Sequence, residues 1–108
     1  MCATCCSEQQ LVEIAKFYQL LSEPFRLKLL CELKCTPADV KSLVEKTGFT
    51  QSHISRQLNH LRQMDLVRVE REGAHSIFYA DNPLVDVLSD LVNKELKARF
   101  ERKLKRMS

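Results

Sequence analysis

Between Thr36 and Met64 the chain carries two short apolar stripes separated by a glycine turn, and this stretch restricts the fold more than any other. Thr36-Pro37-Ala38-Asp39 reads as a helix start. Thr36 can cap, Pro37 suits a first helical position, and Asp39 stands where a capping-box acid belongs. Val40, Leu43 and Val44 give this helix, Thr36 to Lys46, one apolar face. Gly48 supplies the permissive backbone that a helix end requires. Thr50 then caps a second helix, with Ile54, Leu58 and Leu61 turned inward at helical spacing. Two short helices joined by a tight glycine-containing turn describe a helix-turn-helix.

The outward positions of the helix after Thr50 point to its use. Gln51, Ser52, His53, Ser55, Arg56, Gln57, Asn59 and His60 are nearly all short or amide-bearing hydrogen-bonding residues, and no acid occurs from Gln51 through Met64. A merely solvated face would carry Glu and Lys instead. Amides and arginine offer the paired donors and acceptors that match base edges in a DNA major groove. Gln51, Ser52, His53, Ser55, Arg56 and Gln57 lie in the first half of the helix, where base contact is easiest. His60 is either a phosphate contact or simply exposed.

The flanking segments supply a frame for this unit. Leu11, Ile14, Ala15, Tyr18 and Leu21 recur at helical spacing from Glu8 onward, and Ser22-Glu23-Pro24 breaks and restarts the chain. The next helix carries Phe25, Leu27, Leu29, Leu30, Cys31 and Leu33, apolar around most of its circumference, and is expected to be buried. After Asp65 the period changes to two. Val67 and Val69 alternate with Arg68 and Glu70, and Ser76-Ile77-Phe78-Tyr79 follows a turn at Glu72-Gly73-Ala74-His75, which describes a β-hairpin. Asp81-Asn82-Pro83 opens a long last helix, with Leu84, Val87, Leu88, Leu91, Val92 and Leu96 on its apolar face and Phe100 and Leu104 continuing it.

Composition agrees with one mainly α domain bearing a small β-hairpin. The chain has 108 residues, 44% of them apolar, with only two Gly and three Pro for loops. A core of this size needs no disulfide or metal. No apolar run approaches the roughly 18 residues of a membrane span and no secretory signal is evident, so the chain is expected in the cytoplasm. The formal charge is +3 but uneven: residues 97–108 carry six basic side chains against Glu101, a surplus of five, and the other 96 residues sum to −2. The domain organisation expected is a cysteine-containing arm (1–7), a DNA-binding domain (8–96) and a basic helix end (97–108).

The order helix, helix, helix, outward-polar helix, hairpin, helix resembles the ArsR/SmtB family of metal- and redox-responsive repressors. The resemblance covers roughly residues 9–96. It rests on Leu21-Ser22-Glu23-Pro24-Phe25-Arg26-Leu27-Lys28-Leu29-Leu30, on Thr50-Gln51-Ser52-His53-Ile54-Ser55-Arg56-Gln57-Leu58-Asn59-His60-Leu61, and on Leu66-Val67-Arg68-Val69-Glu70-Arg71-Glu72-Gly73. It implies a winged helix-turn-helix, dimeric through the first and last helices, with Leu11, Ile14, Tyr18, Leu84, Leu88, Leu91 and Val92 at the interface. Two recognition helices would then sit about 34–36 Å apart on a near-palindromic double-stranded operator. Arg68, Arg71, His75 and Ser76 on the wing are expected to touch phosphate or the minor groove more than to read bases.

In that family a ligand usually lowers operator affinity, and here the family's sites are incomplete. The third helix has no Cys-x-Cys pair and the last helix has neither His nor Cys, so a carboxylate-histidine zinc site does not carry over. Five cysteines remain: Cys2, Cys5 and Cys6 in the arm, then Cys31 and Cys35. Cys31 lies where some persulfide-responsive relatives carry one of two reactive cysteines, but its partner near the end of the last helix is absent. Cys31 and Cys35 share a helix face, and the arm can add thiolates, which suits a soft thiophilic inducer such as As(III), Sb(III), Cd(II) or Pb(II), or an oxidant or persulfide. The plain alternative makes Cys31 a small core hydrophobe. No obligatory cofactor follows. A thiol oxidoreductase built on Cys2 and Cys5 would need a βαβ setting that the sequence lacks. A regulator without inducer, or a winged helix that binds protein, stays open.

Overall fold

The computed structural model describes residues 6–107. They form α1 (Glu8–Leu20), α2 (Pro24–Cys35), α3 (Val40–Thr47), α4 (Gln51–Gln63), β1 (Arg68–Glu72), β2 (His75–Tyr79) and α5 (Pro83–Met107). Local chemistry sets most of these limits. Ser7 and Gln10 close a capping box on α1, the Ser7 Oγ accepting from the Gln10 N–H at 3.2 Å and Gln10 Oε1 accepting from the Ser7 N–H at 2.7 Å. Pro24 opens α2. Gly48 ends α3 at φ 78°, and Asp65 ends α4 at φ 58°, a left-handed conformation that Asp tolerates better than most residues. Gly73 at φ 65° makes the two-residue hairpin turn, leaving Glu72 paired with His75 and Arg68 with Tyr79.

Two expectations are corrected. The third helix begins at Val40, not Thr36. Asp39 is itself the N-cap, accepting from the Ser42 N–H at 2.8 Å. Ala38 is drawn away from helix into an antiparallel bridge with Phe78, donating to its carbonyl at 3.3 Å and accepting from its N–H at 2.8 Å. Ala38 is buried, so both of its backbone groups need partners, and the wing provides them. The second helix, in turn, is buried on one side only. Leu29, Leu30 and Leu33 enter the core, while Leu27 and Cys31 are exposed on the other side of the helix.

Leu29, Leu30, Leu33, Leu43, Ile54, Leu58, Leu61 and Leu66 are almost fully buried and form the centre of the core. Each contributes roughly 1.5–3 kcal/mol relative to exposure. Leu20, Val67, Ala80 and Val85 close its rim, with Phe17, Phe49 and Phe78 packed against it. The terminal helices stand apart. Leu20 is the buried residue of α1 and Val85 that of α5. A radius of gyration of 17.0 Å exceeds the ~13 Å of a compact chain this long, since α5, 25 residues in all, runs on past the domain body.

Candidate nucleic-acid interface

The turn before α4 is fixed by its own side chains. Thr47 Oγ1 donates to the Leu43 carbonyl at 2.6 Å and accepts from the Phe49 N–H at 3.1 Å. Thr50 Oγ1 then accepts from the His53 N–H at 3.2 Å, capping α4. Ile54, Leu58 and Leu61 are buried at 0%, 1% and 0% exposure, and this anchors the rotation of the helix about its axis. A second anchor comes from α2. Arg26 Nε donates to Gln57 Oε1 at 2.8 Å, and Arg26 Nη1 donates to the Leu20 carbonyl at 3.1 Å. The start of α4 is held as well, since the His53 ring meets the edges or faces of Phe25 and Phe49 at 4.7 and 5.4 Å.

With the helix so oriented, Gln51, Ser52, Ser55, Arg56 and Asn59 are exposed together. None of these five side chains is engaged in a hydrogen bond or ion pair among the described residues. Their spacing places Ser52 next to Arg56 and Ser55 next to Asn59 on one helix face. Arg62 extends that face with positive charge and no carboxylate lies on α4. Free donors and acceptors on a rigid, acid-free helix suit the edges of base pairs.

Some expected DNA contacts are placed otherwise. Gln57 is 5% exposed and committed to Arg26, so it orients the helix and does not face outward. His53 is half-buried between two rings, and His60 is half-buried too. Arg68 is occupied: it pairs with Glu70, donates to Asp81 at 2.8 Å and lies 4.1 Å over the Tyr79 ring. These contacts pin the wing to the start of α5. The hydrogen bond to Arg68 holds the Asp81 carboxyl below its usual range, and its return contact raises the Arg68 guanidinium.

Arg71 stays exposed and pairs across the hairpin with half-buried Ser76, on the strand face opposite to Glu70 and Glu72. His75 is exposed near the turn, with Nδ1 3.6 Å from Asp39 Oδ2. The Asp39 carboxylate lies below its ordinary value, chiefly because the Ser42 backbone donates to it, with His75 adding to the effect. Arg26 carries no sequence signal that would single it out. Its partner Gln57 is 31 positions away, and no periodicity connects them.

The cysteines divide. Cys2 and Cys5 lie outside the described residues. Cys6 is half-buried at the start of α1 beside Ser7, Gln10, Glu13 and Ile14. Cys31 and Cys35 are free and exposed on α2, so Cys31 is not core. No group of three or more His, Cys, Asp and Glu side chains is placed to hold a metal among the described residues. No helix among them is long and apolar enough to cross a membrane.

A helix-turn-helix flanked by a two-stranded wing, with an unpaired polar face on its second helix, defines the class of winged-helix DNA-binding regulators. Similarity to known proteins narrows this. The model of the arsR family of bacterial regulatory proteins matches residues 23–69. The HTH-type transcriptional regulator NmtR of Mycobacterium tuberculosis is 35% identical over 86 residues, 78% of this chain and 71% of that protein. Among solved structures, Rv0081 of M. tuberculosis superposes with a TM-score of 0.82 at 26% identity, over 91% of this chain and 99% of that one. A homodimeric winged helix-turn-helix DNA-binding domain, Mb0332 of Mycobacterium bovis, gives a TM-score of 0.76 at 24% identity, over 91% of this chain and 94% of that one. The chain belongs to the ArsR family and is a transcriptional regulator with a DNA-binding winged helix.

Proposed function

We propose that the protein is a homodimeric, sequence-specific repressor that grips a near-palindromic operator with α4 and the wing and is released by a thiol-directed signal. The observation that carries the DNA assignment is the face of Gln51, Ser52, Ser55, Arg56 and Asn59, exposed and unpaired on a helix whose rotation is fixed from behind. Ser52, Ser55 and Arg56 act with Gln51 on base edges, and Arg71, Ser76 and His75 approach the backbone from the wing. Dimerisation is supported by a second observation. Among the described residues, every exposed large hydrophobic except Leu27 lies on α1 or α5. Leu11, Ile14 and Tyr18 from α1, with Leu84, Leu91 and Val92 from α5, are exposed, and Leu88 is half-exposed beside them. The homodimeric M. bovis domain has the same fold.

The signal acts at cysteine. Among the described residues Cys6, Cys31 and Cys35 are free, and Cys2 and Cys5 precede them in sequence. Thiolates favour soft inducers such as As(III), Sb(III), Cd(II) or Pb(II), or an oxidant or persulfide. The test is titration of a fragment carrying the protein's own promoter, at several salt concentrations. Affinity should fall steeply with salt through counterion release. Arg56→Ala and Gln51→Ala should each cost about 1–3 kcal/mol and relax sequence preference. Unchanged binding in both would remove α4 from the interface. Replacing Cys2, Cys5 and Cys6 by Ser should spare promoter binding and abolish the arm's share of release by the inducer, and undiminished release would clear the arm of the sensing role.

A further inference from the structure

Cys31 and Cys35 stand four residues apart on one helix, and both thiols are exposed and free. Their helix end is firmly held. The Thr36 N–H donates to the Glu32 carbonyl at 3.1 Å, Ala38 is bridged to Phe78, and Lys34, between the two cysteines in sequence, pairs with Asp86 of α5. On an intact helix, positions four apart keep their Cβ atoms about 5–6 Å from each other. A disulfide needs a Cβ separation of about 3.5–4.5 Å, so direct oxidation of this pair would have to unwind a helical turn that the fold secures. One atom between the sulfurs removes the difficulty. Two bonds from thiolate to a soft centre, each about 2.3 Å as for zinc, hold the two sulfurs roughly 3.5 Å apart at a bent centre, against about 2.05 Å in a disulfide.

The number of ligands restricts the guest further. No third His, Cys, Asp or Glu joins this pair to make a metal site among the described residues. A centre demanding three or four thiolates is therefore poorly served here. We propose that Cys31 and Cys35 form a two-thiol site for a soft electrophile with two exchangeable positions, of which a monosubstituted arsenic(III) acid, R–As(OH)2, is the type. Both thiols add to arsenic: two As–S bonds form, two As–O bonds break, and the two thiol protons leave with the two hydroxyls as water. Arsenic stays trivalent, so no oxidant or reductant is required. The site deepens the thiol-directed release proposed above and rests on that reading for its role, though not for its chemistry.

The probe is phenylarsine oxide, added to the reduced full-length chain without DNA. Trypsin cuts after Lys34 and so separates Cys31 from Cys35. The expected result is that the two fragments stay joined through one phenylarsenic, and that two thiols per bridged pair disappear from a thiol titration. In a chain with Cys2, Cys5 and Cys6 replaced by Ser, one phenylarsenic should bind per chain and survive excess glutathione, a monothiol. Adding Cys31→Ser or Cys35→Ser to that chain should make the adduct at least tenfold easier to strip with glutathione. Separate fragments, two arsenicals per chain, or equal retention in the single-cysteine variants would overturn the site. Uptake is read in the absence of promoter, so a protein that failed to bind DNA would still decide this question. Bridging without operator release would instead leave the site in place and detach it from release, which would then belong to the arm.

Discussion

α4 and α5 are both amphipathic helices, yet they turn opposite sides to the solvent. In α4 the apolar side is spent inside the chain, with Ile54 and Leu61 at 0% exposure, and the outer side is polar and unpaired. In α5 the apolar residues remain outside: Leu91 is 60% exposed and Phe100 61%, and Val85 is the one that is buried. A helix with its apolar side already satisfied can offer polar chemistry to a polar ligand. A helix with an apolar side left over calls for another apolar surface, and the dimer proposed above would supply it from a second copy. The difference between the two helices therefore separates what the chain can do alone from what the proposed dimer would add.

The largest expected effect tests that separation directly. Ile54→Ala should cost about 2–5 kcal/mol of unfolding free energy, because it opens a cavity in a closed core. Denaturant unfolding should show this loss at every protein concentration. Leu91→Ala should behave differently. In dilute protein it should change little, while the dissociation constant of the dimer, measured by sedimentation, should rise through loss of about 1.5–3 kcal/mol of apolar burial per interface copy. A Leu91 variant that loses stability independently of concentration would show that α5 folds back on its own domain.

A second contrast lies within α4. Gln57 and Asn59 are both amides on the same helix, but Gln57 holds Arg26 and Asn59 is free. Gln57→Ala should lower stability by about 1 kcal/mol and weaken all DNA sequences alike. Asn59→Ala should leave thermal unfolding unchanged and reduce discrimination between operator variants. Binding titrations against a set of single-base operator changes would separate the two. If Gln57→Ala altered base preference and Asn59→Ala did not, α4 would have to present a different face to DNA.

Much of this arrangement is legible from the sequence, for local reasons. Thr50 as a cap, Gly48 as a helix end, and the inward set Ile54, Leu58 and Leu61 depend on neighbours within a turn or two, and the fold realises each of them. What escapes depends on distant partners. Ala38 leaves the helix because Phe78, forty positions later, offers both backbone groups. Gln57 turns inward because Arg26 waits there, and Arg68 is paired with Asp81 and set over the Tyr79 ring. Cys31 belongs to the same class. A helix apolar around most of its circumference reads as buried, but its exposure depends on how many elements pack against it, and composition cannot say that.

The smallest effect concerns the pinned wing, which belongs with α4 in the internally satisfied half of the molecule. Asp81 has an ordinary value of 3.8 and is held lower in the folded protein, first by the hydrogen bond from Arg68 and then by its charge. A depressed carboxyl pKa contributes stability above its unfolded value, and that contribution is lost as the pH falls through the folded value. The wing base should therefore stay intact at neutral pH and loosen only in acid below the ordinary aspartate range. Because the pair is exposed, the change should be local and weakened by salt, with no loss of the core. The Arg68 side-chain N–H and the Tyr79 ring, 4.1 Å from the guanidinium carbon, should shift together in an NMR acid titration. Asp81→Asn should abolish that joint shift and leave the Ile54 and Leu58 signals unmoved. If the two residues titrate separately, or the core signals move with them, the wing is held by something other than Arg68.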